Sequence, residues 1–98
     1  MAIRSFREKS LERYFKNGSL PRKAKWGAVA SVTARKLDIC EAAAELKDLA
    51  SPPGNRLEPL HGDLEGYYSI RINDQWRLIF KWTNQGPADV YIDDYHRG

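Results

Sequence analysis

The chain has 98 residues, enough for one domain over residues 1–98 with a single hydrophobic core and too few for two. A hydrophobic content of 42% argues against disorder, and no apolar run approaches the roughly 20 residues of a membrane-spanning helix. The charged amino terminus is unlike a signal peptide, and a single cysteine excludes an internal disulfide, so we expect a cytoplasmic protein.

Basic residues are concentrated in the first third of the chain. Residues 1–36 contain ten Lys and Arg against two acidic residues, a balance of +8. The remaining residues contain six basic and eleven acidic residues, a balance of −5, which the net charge of +3 conceals. A polyanion or an acidic protein is the expected partner of the amino-terminal part; the alternative is an ordinary solvated helical surface.

Two helices are predicted in the first half of the chain. Residues 3–6 have a strand-like pattern, and a helix follows over residues 10–17. Gly18 ends it, because glycine readily adopts the left-handed conformation of a helix cap. After a loop, apolar residues at helical spacing predict a longer helix over residues 25–49, with Cys40 as a buried thiol in its apolar stripe.

Three strands are predicted in the second half. The prolines within residues 51–55 end the long helix, and a partly extended connection leads to a hairpin with a turn at residues 73–75. A second turn at residues 84–87 precedes a last strand over residues 88–95. The order β-α-α-β-β-β predicts an α+β domain, in which two helices pack on one face of a mainly antiparallel, twisted sheet. The alternating apolar residues are Tyr68, Ile70, Ile72, Trp76, Leu78, Phe80 and Trp82.

The opposite face of these strands is polar and cationic. A cationic face with aromatic rings suits a phosphate backbone and its bases. The alternative is the ordinary wet face of a half-buried sheet. The residues concerned are Ser69, Arg71, Arg77, Ile79 and Lys81, with Tyr91 nearby.

The last strand ends in a carboxylate, a phenol and an imidazole: Asp94, Tyr95 and His96. RNA cleavage without a metal needs a proton acceptor for the 2′-hydroxyl, a proton donor for the departing 5′-oxygen and a cation for the phosphate. Histidine suits proton transfer, and arginine suits phosphate oxygens. His96, Asp94 and Arg77 could fill these roles. The other histidine, His61, is an ordinary surface residue in the alternative interpretation.

The direction of these terminal side chains is left open by the pattern. Period-two counting from Ile92 places Asp94 and His96 in phase with the core, and Asp93 and Tyr95 on the opposite face. Either a bend or bulge after Ile92 re-aims the end of the strand, or the terminus leaves the sheet.

Four segments together are typical of one family: residues 3–6, 51–58, 66–80 and 94–96. Through them essentially the whole chain resembles the HigB group of bacterial toxins, the plasmid maintenance killer proteins of the RelE-like superfamily. The resemblance implies a compact RelE-like fold and an endoribonuclease that cleaves messenger RNA on translating ribosomes, at the decoding site of the small subunit. It also implies a HigA-like antitoxin with a helix-turn-helix domain. Toxin and antitoxin together would bind operator DNA and repress their own operon.

The resemblance also implies site residues. Arg77 matches an arginine thought to contact the scissile phosphate. Where some members have a catalytic histidine in a His-Pro-Leu segment, this chain has Glu58, and His61 follows three positions later. A plain surface carboxylate is the alternative for Glu58. The family's carboxyl-terminal catalytic cluster is matched by Asp94, Tyr95 and His96.

We therefore expect an endoribonuclease without metal or organic cofactor. His96, with His61 or Glu58, would transfer protons, and Asp94 would orient His96. Arg77 with Arg71 would stabilise the transition state, so replacing Arg77 should relieve growth arrest and leave the domain folded. Tyr95 would position the base or phosphate, and further substrate contacts would come from Lys81 and Tyr91.

Two other functions compete with this expectation. A non-catalytic module that binds RNA or the antitoxin would suit the charge asymmetry and the aromatic residues equally well. A metal-dependent nuclease could use Asp93, Asp94 and His96, although the sequence has no motif of regularly spaced ligands.

Overall fold

The computed structural model describes residues 2–94 and confirms the predicted α+β class. Its α-helices are α1 (Lys9–Asn17) and α2 (Ala30–Ala42). Its antiparallel sheet has the order β1-β2-β3-β4, and the strands are Glu58–Pro59, Tyr67–Arg71, Trp76–Thr83 and Gly86–Asp94. Within residues 2–94, no helix has the length and apolarity needed to cross a membrane.

Helix α1 matches its prediction to within one residue. It ends at Gly18, whose φ of +74° is left-handed and whose N–H donates to the Tyr14 carbonyl at 2.8 Å. Glycine adopts this conformation without the steric cost of a Cβ atom. Leu11 is fully buried, so the apolar side of the helix faces the core.

The predicted helix over residues 25–49 is too long at both ends. A turn of 3₁₀ helix precedes α2, and the residue after α2 is extended. Asp48 explains the early end, because its carboxylate accepts the backbone N–H groups of Ala44 and Glu45 at 3.0 and 2.9 Å. Such a local bond competes with the helix for the same donors. Residues 46–50 then form a separate 3₁₀ turn.

The core lies between the helices and one face of the sheet. Ile70, Leu78 and Ile92 are register partners across β2, β3 and β4, and all three are buried. Leu37 and Cys40 of α2 belong to the same cluster. The predicted burial of Cys40 is confirmed, and burial raises the pKa of its thiol to about 12.

A β-bulge interrupts the pairing of β3 with β4. Ile79 pairs with Tyr91, and Lys81 pairs with Ala88, so β4 contributes one more residue than β3 between these pairs. Asp89 lies in the bulge with a φ of +56°. This left-handed conformation is uncommon for residues other than glycine, although Asp and Asn adopt it more readily than most.

The amino-terminal segment runs along the outer edge of β4. The predicted strand over residues 3–6 is reduced to a parallel bridge between Phe6 and Val90. The Val90 N–H donates to the Ser5 carbonyl at 3.1 Å, and the Arg7 N–H donates to the Val90 carbonyl at 2.9 Å. These bonds cover part of an edge that would otherwise present unpaired backbone groups.

The connection before β2 folds back along the other edge of the sheet. Its two residues in β1 pair with β2, Glu58 opposite Ser69 and Pro59 opposite Tyr68. The prediction of a partly extended connection is thus confirmed, with one short strand in it. After β1, the connection crosses the sheet face that points away from the helices, since Leu60, His61 and Leu64 line one pocket with Ser69, Arg77 and Ile79.

Candidate active site

The sheet face opposite the helices carries the predicted polar side chains. Lys81 is exposed, but Ser69, Arg77 and Ile79 are buried. The alternative, an ordinary solvent-exposed surface of a half-buried sheet, is therefore wrong at the centre of this face. Two rows of register partners cross β2, β3 and β4, namely Arg71–Arg77–Asp93 and Ser69–Ile79–Tyr91.

A pocket of about 150 Å³ opens at this covered centre. The connection contributes His61, and Gly62 with a φ of +68° turns the chain immediately after it. His61 and Arg77, which the sequence analysis singled out separately, thus face one pocket. The complete lining is Leu60, His61, Leu64, Ser69, Arg77, Ile79 and Asp93.

Arg77 lies at the buried side of this pocket, with 4% of its surface exposed. Its Nη2 donates to the Arg56 carbonyl and to the Ser69 hydroxyl, both at 2.8 Å, and to Glu58 Oε1 at 3.3 Å. A buried cation is tolerated when hydrogen bonds and an opposite charge replace its hydration. The guanidinium is therefore held in one orientation by three different elements of the chain.

Glu58 and His61 are the two residues that could replace the family's loop histidine in this chain, and they occupy different positions. Glu58 is the ion-pair partner of Arg77, and its side chain is 45% exposed. The His61 side chain is 78% exposed, and its Nδ1 lies 4.0 Å from Glu65 Oε1. Glu58 thus contacts the buried cation, whereas His61 lies at the solvent side of the pocket.

Asp94 lies at the end of β4 and has the phase that period-two counting predicted. It pairs with Trp76, is exposed, and accepts a hydrogen bond from Gln75 Nε2 at 3.2 Å. The register is regular from Ile92 to Asp94 and the bulge lies earlier in the strand, so neither a bulge nor a departure from the sheet occurs between Ile92 and Asp94. Tyr95 and His96 lie outside the described residues.

The sequence analysis missed Asp93 as a residue of the Arg77 pocket and considered it only as a metal ligand. Its position follows from the register, because it pairs with Arg77 on the same face. Among residues 2–94, no group of three or more His, Cys, Asp or Glu side chains could hold a metal ion. The metal-site alternative includes His96, which lies beyond the described part.

A second polar cluster on this face was also missed by the sequence analysis. Asp89 Oδ2 accepts hydrogen bonds from Arg7 Nη2 at 2.7 Å, from Arg7 Nε at 3.1 Å and from the Tyr67 hydroxyl at 2.5 Å. The Arg7 guanidinium also lies over the ring of Tyr91, 4.3 Å from its centroid. The cluster therefore connects the amino-terminal segment, β2 and the bulge of β4.

Asp89→Asn should destabilise the protein in a pH-dependent way. Hydrogen bonds from Arg7 and then Tyr67 hold the pKa of Asp89 below its usual value, so the charged form stabilises the fold. This contribution is complete above the unfolded pKa of about 3.9 and is lost as the pH falls through the lower folded value. Because the Arg7 side chain is about half exposed, solvent weakens the ion pair, and we expect a loss of about 0.5–1 kcal/mol at pH 7.

The measurement is urea unfolding of the protein and the variant at pH 7 and at pH 2.5. The matched control is Asp38→Asn, at an exposed carboxylate of α2. A difference that is as large at pH 2.5 as at pH 7 would contradict a stabilising charge on Asp89.

Solved structures superpose on this chain over nearly its whole length. The YoeB/ParE toxin from Agrobacterium tumefaciens superposes with a TM-score of 0.55 at 19% identity, covering 98% of this chain and 100% of that one. YoeB in the YoeB–YefM complex from Staphylococcus aureus gives a TM-score of 0.55 at 20% identity, covering 99% and 98%. At this identity the likeness establishes the fold, which is that of RelE-like toxins.

Sequence comparison identifies the family within this class. The family model described as the RelE-like toxin HigB of type II toxin–antitoxin systems matches residues 4–96. Toxin HigB-1 from Vibrio cholerae is 39% identical over 90 residues, which is 92% of this chain and 94% of the relative. Endoribonuclease HigB from Proteus vulgaris is 32% identical over 100 residues, covering 96% and 99%. The chain therefore belongs to the HigB-like toxin family, and the suspected resemblance is confirmed.

Proposed function

We propose that this protein is an endoribonuclease that cuts messenger RNA on translating ribosomes by metal-independent attack of the 2′-hydroxyl. The observation that carries the proposal is the pocket shared by His61, Arg77 and Asp93. It combines an imidazole, a guanidinium and a carboxylate on one sheet face. In the same family, the Proteus vulgaris relative is named an endoribonuclease.

The proposed reaction forms a bond from the 2′-oxygen to phosphorus and breaks the bond from phosphorus to the 5′-oxygen. It leaves a 2′,3′-cyclic phosphate and a 5′-hydroxyl. His61, at the solvent side of the pocket, and His96 transfer the two protons of the reaction. One proton is taken from the 2′-hydroxyl, and the other is given to the departing 5′-oxygen. Arg77, already oriented by Arg56 and Ser69, stabilises the charge that develops on the phosphate without reorganising.

The remaining predicted residues support these groups. Glu58 positions Arg77 through their ion pair, and Asp94 orients His96. Arg71, Lys81 and Tyr91 lie on the same face as Arg77 and are proposed, together with Tyr95, as contacts to the RNA.

The proposed partner is a HigA-like antitoxin with a helix-turn-helix domain, through which the complex would bind operator DNA. Two findings support an antitoxin: the family is one of type II toxin–antitoxin systems, and the Staphylococcus aureus YoeB was solved with YefM. The basic residues in positions 1–36 suit an acidic partner or ribosomal RNA. Because translated messenger RNA is the proposed substrate, the proposed location is the cytoplasm.

Mapping transcript ends after brief induction tests this proposal. We expect new internal ends in translated transcripts, with 5′-hydroxyl groups and 2′,3′-cyclic phosphates, and their loss when the antitoxin is co-expressed. Cuts that leave 5′-phosphates would contradict attack by the 2′-hydroxyl.

One observation favours a non-catalytic module that binds RNA or the antitoxin. The bonds of Arg77 to Arg56, Ser69 and Glu58 also hold the fold together, so this residue has a structural role without any chemistry. Intact transcripts together with tight RNA binding would support that function.

A further inference from the structure

A second, larger pocket adjoins the Arg77 pocket at the end of the sheet. Its volume is about 570 Å³, and residues from α1, from the loop between the helices and from the ends of β3 and β4 line it. Asp93 lines both pockets. Trp76 and Ile92 place this second pocket on the helix side of the sheet, so an RNA strand with its scissile phosphate at Arg77 would reach it by passing around the end of β4 at Asp93.

The second pocket contains aromatic rings and cations. Trp76 is partly buried and presents indole surface, while Trp26 is almost fully buried and its Nε1 donates to Glu8 Oε2 at 3.1 Å. Lys23 and Lys25 are exposed at the same pocket. Indole faces stack on nucleobases, and ammonium groups neutralise backbone phosphates. Rings and cations in one pocket suit a nucleotide.

The carboxylates of the pocket add a preference among bases. Glu8 is fixed by three donors, since it also accepts hydrogen bonds from the Ser10 hydroxyl and the Ile92 N–H, both at 3.2 Å. Asp93 and Asp94 lie beside it at the end of β4. An ionised carboxylate only accepts hydrogen bonds. Adenine, cytosine and guanine each carry an exocyclic amino group that can donate, whereas uracil has carbonyl oxygens in place of an amino group and keeps only its ring N3–H as a donor.

We propose that this second pocket binds the nucleotide next to the scissile linkage and selects bases with an amino group over uracil. In this site Trp76 stacks on the base, Lys23 and Lys25 contact its phosphate, and Asp93 accepts a hydrogen bond from the amino group. The inference rests on the proposed ribonuclease function, because the Arg77 pocket defines where the cleaved linkage lies.

Quenching of tryptophan fluorescence in the full chain by 5′-AMP, 5′-CMP and 5′-UMP tests the pocket directly. We expect saturable quenching by AMP and CMP and about tenfold weaker binding of UMP, which lacks the exocyclic amino group that would donate to the Asp93 carboxylate. Trp76→Phe should remove most of the quenching, whereas Trp82→Phe, at a tryptophan outside the pocket, should retain it. Lys23→Glu should weaken the binding of AMP and CMP, whereas Lys47→Glu, at an exposed lysine outside the pocket, should not.

Equal binding of AMP and UMP, or unchanged AMP binding in Lys23→Glu, would overturn the pocket assignment. Lys23 is exposed, so this variant remains informative even if Trp76→Phe folds poorly. Transcript mapping separates the two proposals. A protein that cuts transcripts but binds AMP and UMP equally would overturn the pocket alone. Selective AMP binding with intact transcripts would overturn the ribonuclease and leave a nucleotide-binding pocket.

Discussion

Arg77→Ala is expected to slow RNA cleavage by about 10²–10³-fold, the usual effect of removing one electrostatic donor from a transition state. Cells that express the variant should escape growth arrest. The variant is expected to stay folded but to be less stable, because Arg77 is buried and bonded to Arg56, Ser69 and Glu58. Loss of these bonds should lower the free energy of unfolding by about 1–3 kcal/mol.

Cleavage must therefore be compared at a temperature where circular dichroism shows the variant to be folded. Arg77→Lys retains the charge but lacks the fixed fork of donors, so we expect it to be closer to the parent in stability than in activity. Lys47→Ala, at an exposed lysine outside both the basic amino-terminal part and the Arg77 pocket, is the control and should cleave normally. A folded Arg77→Ala protein that cleaves at the parent rate would remove Arg77 from the mechanism.

Asn55→Ala is expected to lower the free energy of unfolding by about 2–4 kcal/mol, because it leaves the buried Leu49 carbonyl and two partly buried groups without their partner. Asn55 is fully buried. Its Nδ2 donates to the carbonyls of Leu49 and Ser51 at 3.1 and 3.2 Å, and its Oδ1 accepts a hydrogen bond from Lys36 Nζ. The side chain thus ties α2 to the segment that leads into β1.

The same substitution should lower cleavage, because the next residue, Arg56, supplies the carbonyl that holds Arg77. Urea unfolding and a cleavage assay measure the two effects. Asn84→Ala, in the exposed turn between β3 and β4, is the matched control and should change neither by much. If Asn55→Ala is as stable as Asn84→Ala, the network around Asn55 does not stabilise the fold.

The strands and the polar face could be predicted because their signals are local. Alternation in β2 and β3 places Ile70 and Leu78 on one face and Arg71 and Arg77 on the other, and the register confirms this assignment. The end of α2 could not be predicted, since Ala44 and Glu45 favour helices and only the folded geometry shows that Asp48 takes their N–H groups.

The candidate site was predicted as a set of residue types rather than as an arrangement. The burial of Arg77 depends on Glu58, in a strand of two residues, and on Arg56, which no periodic pattern connects to the sheet. The bond between Arg7 and Asp89 joins residues 82 positions apart. Such long-range contacts leave no local pattern in a single sequence.

The pairing of residues 5–7 with Val90 has a consequence for biosynthesis. The outer edge of β4 is completed by residues that are made well before β4 itself. Because nascent chains emerge from their amino end, this edge cannot assemble until translation has passed residue 90. The bond between Arg7 and Asp89, which joins the same two segments, likewise forms only after β4 has been made.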